Sequence, residues 1–186
     1  PVFSMSKLVG VDTFLGPEMK STGEVMGVDD NFDAAVRKAL IASDTVVKPG
    51  ATFLLSLSNQ TKSEAVPLIH ALHEGGCRLL ATEGTAAMVR GLGIPVHEVT
   101  KLLHESHPNV VDVIEDGTVQ AVINTLEGGR ATQMRDGFHI RRTATEMRIP
   151  CYTSLDTAGA AIRALGTPGG AYDVRPLAEY RDGVEV

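Results

Sequence analysis

The chain has no tryptophan, and its aromatic residues amount to only 4% of 186 positions. Its interior must therefore be aliphatic, with Val, Leu, Ile and Ala forming a sheet and the helices that cover it. No apolar run approaches the roughly 20 residues that cross a bilayer, and no signal-peptide pattern opens the chain, so a membrane is not an expected partner. Positive charge is also in deficit: 17 Lys and Arg stand against 23 Asp and Glu, a formal net charge of −6. That balance argues against nucleic acid, whose phosphates select basic faces, but leaves room for a small anion, which needs only local charge. The two cysteines, Cys77 and Cys151, each sit in a strand-like apolar stretch, with neither CxxC nor metal-ligand spacing. They read as reduced, buried thiols of a cytoplasmic protein.

What is present is ordinary for a globular protein: 43% hydrophobic and 22% charged residues, in a length that suits one α/β domain plus a short extra segment. The chain opens on Pro1-Val2-Phe3 rather than Met, which reads as a fragment of something larger. Residues 1–30 are rich in turn formers and lack core periodicity. Asn31 is a predicted N-cap for a helix from Phe32 to Ala42, with Phe32, Ala35, Val36, Ala39 and Leu40 on one face. Lys48-Pro49-Gly50 breaks the chain, and the domain boundary is placed there, dividing residues 1–48 from 49–186.

Beyond it, strands and helices alternate. Strands are predicted at Thr52–Leu57, Arg78–Ala81, Val96–Val99, Gln120–Asn124 and Pro150–Thr153. Helices are predicted at Lys62–Glu74, stopped by Gly75-Gly76, and at Thr85–Leu92, Val110–Ile114, His139–Arg148 and Thr157–Leu165. Thr167-Pro168-Gly169-Gly170 then separates a short polar tail. Strands joined by helices of this length imply right-handed crossovers. The fold class is thus α/β: a three-layer α/β/α domain with a five-stranded parallel sheet.

In such sheets the ligand crevice lies beyond the carboxyl ends of the strands. Ser56 and Lys62 follow the first predicted strand, Thr82-Glu83-Gly84-Thr85 the second, Lys101 the third, and Asn124-Thr125 the fourth, with Arg130 after Gly128-Gly129. Hydroxyls, amides and cations dominate this edge. Thr82-Glu83-Gly84-Thr85 has the makings of a phosphate cradle, with Gly84 admitting an anion to the backbone and Thr85 opening a helix. A Thr-Gly turn that merely caps a helix is the other reading. His104 and His107 read as a solvated loop rather than a metal site, because a third ligand is missing. His70 and His73 belong to a solvent-facing helix surface. Arg141, Arg142 and Arg148 form an exposed helix face, with Arg141 also close enough to reach the crevice. Tyr152 and Cys151 read as core or edge-strand filler. A P-loop, a Rossmann glycine fingerprint and a Ser/His/Asp arrangement are all absent.

Leu15-Gly16-Pro17-Glu18-Met19-Lys20-Ser21-Thr22-Gly23-Glu24-Val25-Met26-Gly27 resembles the segment closing the second ATP-grasp domain of carbamoyl-phosphate synthetase large subunits. The residues after it are similar to that subunit's C-terminal allosteric domain, of the methylglyoxal-synthase-like fold, and the resemblance runs through the whole chain. It implies a regulatory fragment without a catalytic or metal site, binding UMP or IMP. The parent enzyme, with ATP and Mg or Mn bound upstream, makes carbamoyl phosphate for pyrimidine and arginine biosynthesis. The remainder of the large subunit and a small glutaminase subunit are the implied partners. The effector contacts carry over onto Ser56, Lys62, Thr82, Thr85, Lys101, Asn124 and Thr125, with Asp136 and Ile140 in the segment passing beside the base. Leu126 stands where relatives often have a second Thr. Cys151 aligns with an ornithine-contacting Tyr, while Thr153 keeps the accompanying Thr, so ornithine control is not expected.

Two other classes compete with a sensor. A free-standing methylglyoxal-synthase-like or IMP-cyclohydrolase-like enzyme would need a carboxylate base beside the phosphate site. Methylglyoxal synthases carry a His-Asp pair and a Gly-Gly-Asp loop where this chain has Ser58-Asn59 and His107-Pro108-Asn109. A docking module with a vestigial crevice is the third reading.

Overall fold

The computed structural model describes residues 2–3, 24–101, 107–126, 131–166 and 173–181. Residues 15–23 of the Leu15–Gly27 motif, His104 and the Gly128-Gly129-Arg130 turn lie outside them. Two short strands, β1 (Val2–Phe3) and β2 (Glu24–Val25), pair antiparallel. Helix α1 (Phe32–Ala42) follows, and Asn31 caps it as predicted, its side chain accepting from the Ala34 N–H at 2.9 Å.

Five parallel strands then form the main sheet: β3 (Thr52–Ser56), β4 (Arg78–Thr82), β5 (His97–Val99), β6 (Ala121–Asn124) and β7 (Cys151–Tyr152). Their order is β5-β4-β3-β6-β7. The chain walks outward from β3 to β5, then returns to the other side of β3, so the carboxyl ends of β3 and β6 flank a topological switch point. Helices α2 (Val66–Glu74), α3 (Glu83–Gly91), α4 (Asp112–Glu115), α5 (Ala131–Glu146) and α6 (Leu155–Gly166) cover the sheet, and α7 (Leu177–Arg181) ends the described chain.

Because successive strand residues point to opposite faces, the two cores separate along β3. Phe53 and Leu55 join Leu79, Ala81 and Ile123 under α1, α2, α3 and α6. Leu54 joins Leu80, Val99 and Val122 under α4 and α5. Every residue of β3 is buried, as expected of a central parallel strand covered on both faces. This is the three-layer α/β/α fold anticipated from the alternation. Helix α1 packs along α6 and contributes Leu40 to the first core, while Gly27 lies so close to α1 that an added Cβ would meet the Ala35 carbonyl.

The structure also corrects several expectations. Residues 59–65 form turns, and α2 starts only at Val66, with Pro67 at its first turn where a missing N–H costs nothing. Helix α3 opens at Glu83, two residues before Thr85. Helix α5 begins at Ala131, eight residues before the predicted start at His139. Its first turns are polar, which hid them from a search for apolar periodicity. The tail past residue 172 is not merely polar, since α7 brings Tyr180 onto Lys38, whose ammonium donates to the phenol oxygen at 2.8 Å. Cys77 and Cys151 are half-buried rather than buried, and the partial burial raises the Cys77 thiol above its ordinary pKa. Tyr152 is buried in the first core. Among the described residues no helix is long and apolar enough to cross a membrane.

Candidate functional site

A cleft opens at the carboxyl edge of the sheet, at the switch point between β3 and β6. From the end of β3 and the turns after it come Ser56, Leu57, Ser58, Asn59 and Lys62. From β4 and the start of α3 come Thr82, Gly84 and Thr85. Lys101 follows β5. Asn124, Thr125 and Leu126 follow from β6, and Gly137 from α5 closes the far wall. Ser56 and Asn124 are paired neighbours across the β3–β6 ladder, so strand register alone brings two of the predicted groups together.

Seven residues expected from sequence, Ser56, Lys62, Thr82, Thr85, Lys101, Asn124 and Thr125, line this one cleft. Ile140 does not. It is fully buried in the second core, because on α5 it faces the sheet rather than the strand ends. Thr153 follows β7, half-buried and away from the cleft lining. The Asp136 side chain lies outside the described residues.

Each wall is held from within. The Thr85 hydroxyl accepts the Leu57 N–H at 3.1 Å, tying α3 to the end of β3. The Thr125 hydroxyl accepts the Ser58 N–H at 2.8 Å and lies 2.7 Å from the Thr61 hydroxyl. Asn124 donates through Nδ2 to the Ser56 carbonyl at 3.3 Å. Its Oδ1 accepts from Nη1 of Arg141 at 2.9 Å.

The charge arrangement is unusual at α3. Its N-cap, Thr82, makes no side-chain capping bond, so the first-turn N–H groups keep their partial positive charge toward the cleft. Over this turn sits a full cation: a Cβ added at Gly84 would lie 3.2 Å from the Lys62 ammonium. Lys62 donates to Asn59 Oδ1 at 2.8 Å, a neutral acceptor. No carboxylate or imidazole lines the cleft among the described residues, and Lys101 adds a second cation. Like charges brought together in this way are relieved by an anion, which would gain the Lys62 charge, the helix N-terminus and the Thr82 and Thr85 hydroxyls together.

Arg141 is the residue that sequence reasoning left open. It is only 4% exposed and reaches the cleft wall, whereas neighbouring Arg142 is solvent-facing and pairs with Glu146 at 2.8 Å. Nothing in the Arg-Arg dipeptide distinguishes the two; only their rotation about the helix axis does. Of the two metal-ligand candidates, His104 lies outside the described residues. His107 is exposed with Nδ1 2.6 Å from Asp112 Oδ2, and the described residues contain no group of three His, Cys, Asp or Glu able to hold a metal. His70 and His73 are solvent-facing, as read from sequence.

Residues 64–153 match the MGS-like domain. The carbamoyl phosphate synthase large chain of Thermomicrobium roseum is 50% identical over 181 residues, which is 97% of this chain. The chain spans only 17% of the length of that relative. The crystal structure of methylglyoxal synthase from Elizabethkingia anophelis NUHP1 superposes with a TM-score of 0.46 at 15% identity, covering 66% of this chain and 81% of the other. Half of the chain's residues are thus shared, over nearly its whole length, with a carbamoyl phosphate synthase large chain, and its middle part is similar to the MGS-like domain.

Proposed function

We propose that this chain is the effector-sensing C-terminal part of a glutamine-dependent carbamoyl-phosphate synthetase large subunit, and that its cleft binds a nucleoside monophosphate such as UMP or IMP. The observation that carries this reading is the Lys62 ammonium held over the uncapped N-terminus of α3, with no acid in the cleft among the described residues. The phosphate takes that corner. The nucleoside lies toward Leu57, Leu126 and the bare backbone of Gly137. That no carboxylate or imidazole lines the cleft among the described residues supports a sensor over an enzyme, because removing a proton from a triose phosphate needs such a group beside the phosphate.

Control arises through linkage. A nucleotide that prefers the domain in one global state shifts the whole subunit toward it, by no more than its difference in affinity for the two. In this reading residues 1–48 close the second ATP-grasp domain and residues 49–186 form the sensor. ATP with Mg or Mn acts upstream, the small glutaminase subunit supplies ammonia, and the assembly works in the cytoplasm. Ornithine is not an expected ligand, since Cys151 offers only a weak thiol donor where ornithine-responsive relatives carry a Tyr.

Calorimetric titration of this chain with UMP, IMP and ornithine tests the proposal. Saturable binding of at least one nucleotide, and none of ornithine, is expected. Absence of binding by both nucleotides overturns it. Turnover of dihydroxyacetone phosphate would replace the sensor with an enzyme.

A further inference from the structure

Lys62 reaches its place over α3 from a turn. Residues 59–65 lie past the end of β3 and ahead of α2, so no sheet ladder fixes the backbone that carries the ammonium. A cluster of hydroxyls at the switch point does so instead. Thr61 Oγ1 lies 2.7 Å from Thr125 Oγ1 and 3.1 Å from Ser58 Oγ, and it donates to the Ser58 carbonyl at 3.2 Å. The Ser58 N–H donates to Thr125 Oγ1 at 2.8 Å, and the Thr61 N–H donates to the Ser58 carbonyl at 3.2 Å. A hydroxyl has one proton and two lone pairs. With its proton on the Ser58 carbonyl, Thr61 accepts from the other two hydroxyls, and every contact in the cluster is satisfied. Ser58 and Thr125 are only 6% and 7% exposed, so little water competes for these bonds.

Thr61 itself is not part of the cleft lining, but the next residue, Lys62, is. The Lys62 ammonium is tethered a second time within the same turn, to Asn59 Oδ1 at 2.8 Å. The turn is therefore pinned to the end of β6, while the charge it carries sits over α3, which follows β4. In the sheet, β4 and β6 lie on opposite sides of β3. The place of the ammonium over one side thus depends on a contact made on the other.

Resting on the reading of the cleft as a phosphate site, we propose that Thr61 is a positioning residue for that phosphate: its hydroxyl pins the 58–62 turn to Thr125, so that the Lys62 ammonium stands over the first turn of α3 before a ligand arrives. A lysine on a loose turn has to be ordered on binding, and that ordering subtracts from affinity. The effect passes through Lys62, so it vanishes where residue 62 has no charge to place.

Thr61→Val removes the hydroxyl at nearly constant shape, and Thr61→Ser keeps it. UMP affinity of both is measured by calorimetry with Lys62 present. The same substitutions are then made in the Lys62→Ala background, where chemical-shift titration follows the weaker binding. With Lys62 present, Thr61→Val should weaken UMP about three- to tenfold, the penalty of ordering one flexible side chain, and Thr61→Ser should recover most of that loss. In the Lys62→Ala background, Thr61→Val should change affinity by less than about twofold. A residue that only supports the fold would weaken UMP equally in both backgrounds, and that result overturns the proposal. So does a Thr61→Val chain that binds UMP like the unmodified one, or a Thr61→Ser chain as weak as Thr61→Val. Should the valine variant fail to fold, Thr61→Ala, which deletes the hydroxyl and adds no bulk, carries the same comparison. Failure of the unmodified chain to bind UMP overturns instead the phosphate-site reading on which the proposal rests.

Discussion

Two places in this molecule gather cations, and they treat them oppositely. Where residues 28–30 meet α1 and the C-terminal segment, Lys38 and Arg175 each have an acid. Lys38 pairs with Asp29 at 2.7 Å and also donates to the Val28 carbonyl at 3.0 Å and the Tyr180 hydroxyl at 2.8 Å. Arg175 pairs with Asp30 and lies 4.5 Å from the Tyr180 ring centroid. At the cleft, Lys62 has only a neutral amide, and neither it nor Lys101 pairs with a carboxylate among the described residues. The first arrangement is complete in itself and ties residues 28–30 to α1 and α7. The second is left incomplete by the protein, which is what a site for an exchangeable anion requires. Removing a cation should therefore cost stability at the clasp and ligand affinity at the cleft, and not the reverse.

The largest effect is expected at the cleft. Lys62→Ala should weaken UMP by about 1–3 kcal/mol, the range for a hydrogen bond to a charged group, and leave the melting temperature essentially unchanged. Calorimetry beside thermal denaturation checks both halves. A variant that binds UMP as well as the unmodified chain would show the phosphate corner to be misplaced.

Lys38→Met should do the opposite, lowering the melting temperature with UMP affinity unaltered. This difference should depend on pH in a stated direction. The Lys38 hydrogen bond is the main cause holding the Asp29 carboxyl below its ordinary pKa. A carboxylate depressed on folding stabilises the native state above its unfolded pKa of about 3.9, and that stabilisation fades as pH falls through the lower folded value. The melting curves of Lys38→Met and the unmodified chain should thus be furthest apart at pH 7 and draw closer in strong acid, where only the Lys38 bonds to Val28 and Tyr180 remain. Curves that stay equally separated down to pH 3 would show that the ion pair is not the source.

Gly137→Ala sharpens the boundary between the two behaviours. Alanine in a helix interior is favoured over glycine by about 1 kcal/mol, but the new methyl would press on the Arg141–Asn124 pair. Stability should stay level or rise while UMP weakens a few-fold, measured by the same two assays. Equal affinity would mean that α5 moves aside without disturbing the pair. Smallest of all should be Tyr180→Phe. It removes the oxygen that Lys38 reaches but keeps the ring beneath Lys38 and Arg175, at 5.2 and 4.5 Å. A slight loss of melting temperature is expected, well below that of Lys38→Met, and a loss as large would place the clasp's strength in the hydroxyl.

Much of this was readable from local chemistry. Asn31 before an apolar-periodic run sets the start of α1 because a short side chain can satisfy an N–H three residues on, whatever else the chain does. The alternation of strand-length and helix-length segments implied a parallel sheet, and a parallel sheet puts functional groups at its carboxyl edge. That is why seven cleft residues could be named in advance. Ile140 came from resemblance rather than from position, and the structure buries it in the second core, away from the cleft lining.

What the residues determined by themselves is therefore the layer architecture and the polar, hydroxyl- and cation-rich edge at which the cleft opens, all consequences of periodicity, capping and composition within a few positions along the chain. Tertiary structure alone decided which groups face that cleft. Arg141 and Arg142 are chemically identical neighbours, and only the rotation of α5 against β6 sends one to Asn124 and the other to solvent. Likewise, only the fold brings Tyr180 to Lys38, across 142 positions of sequence. Local patterns carry no information about such pairings, because the free energy that selects them comes from packing two elements together rather than from either one alone.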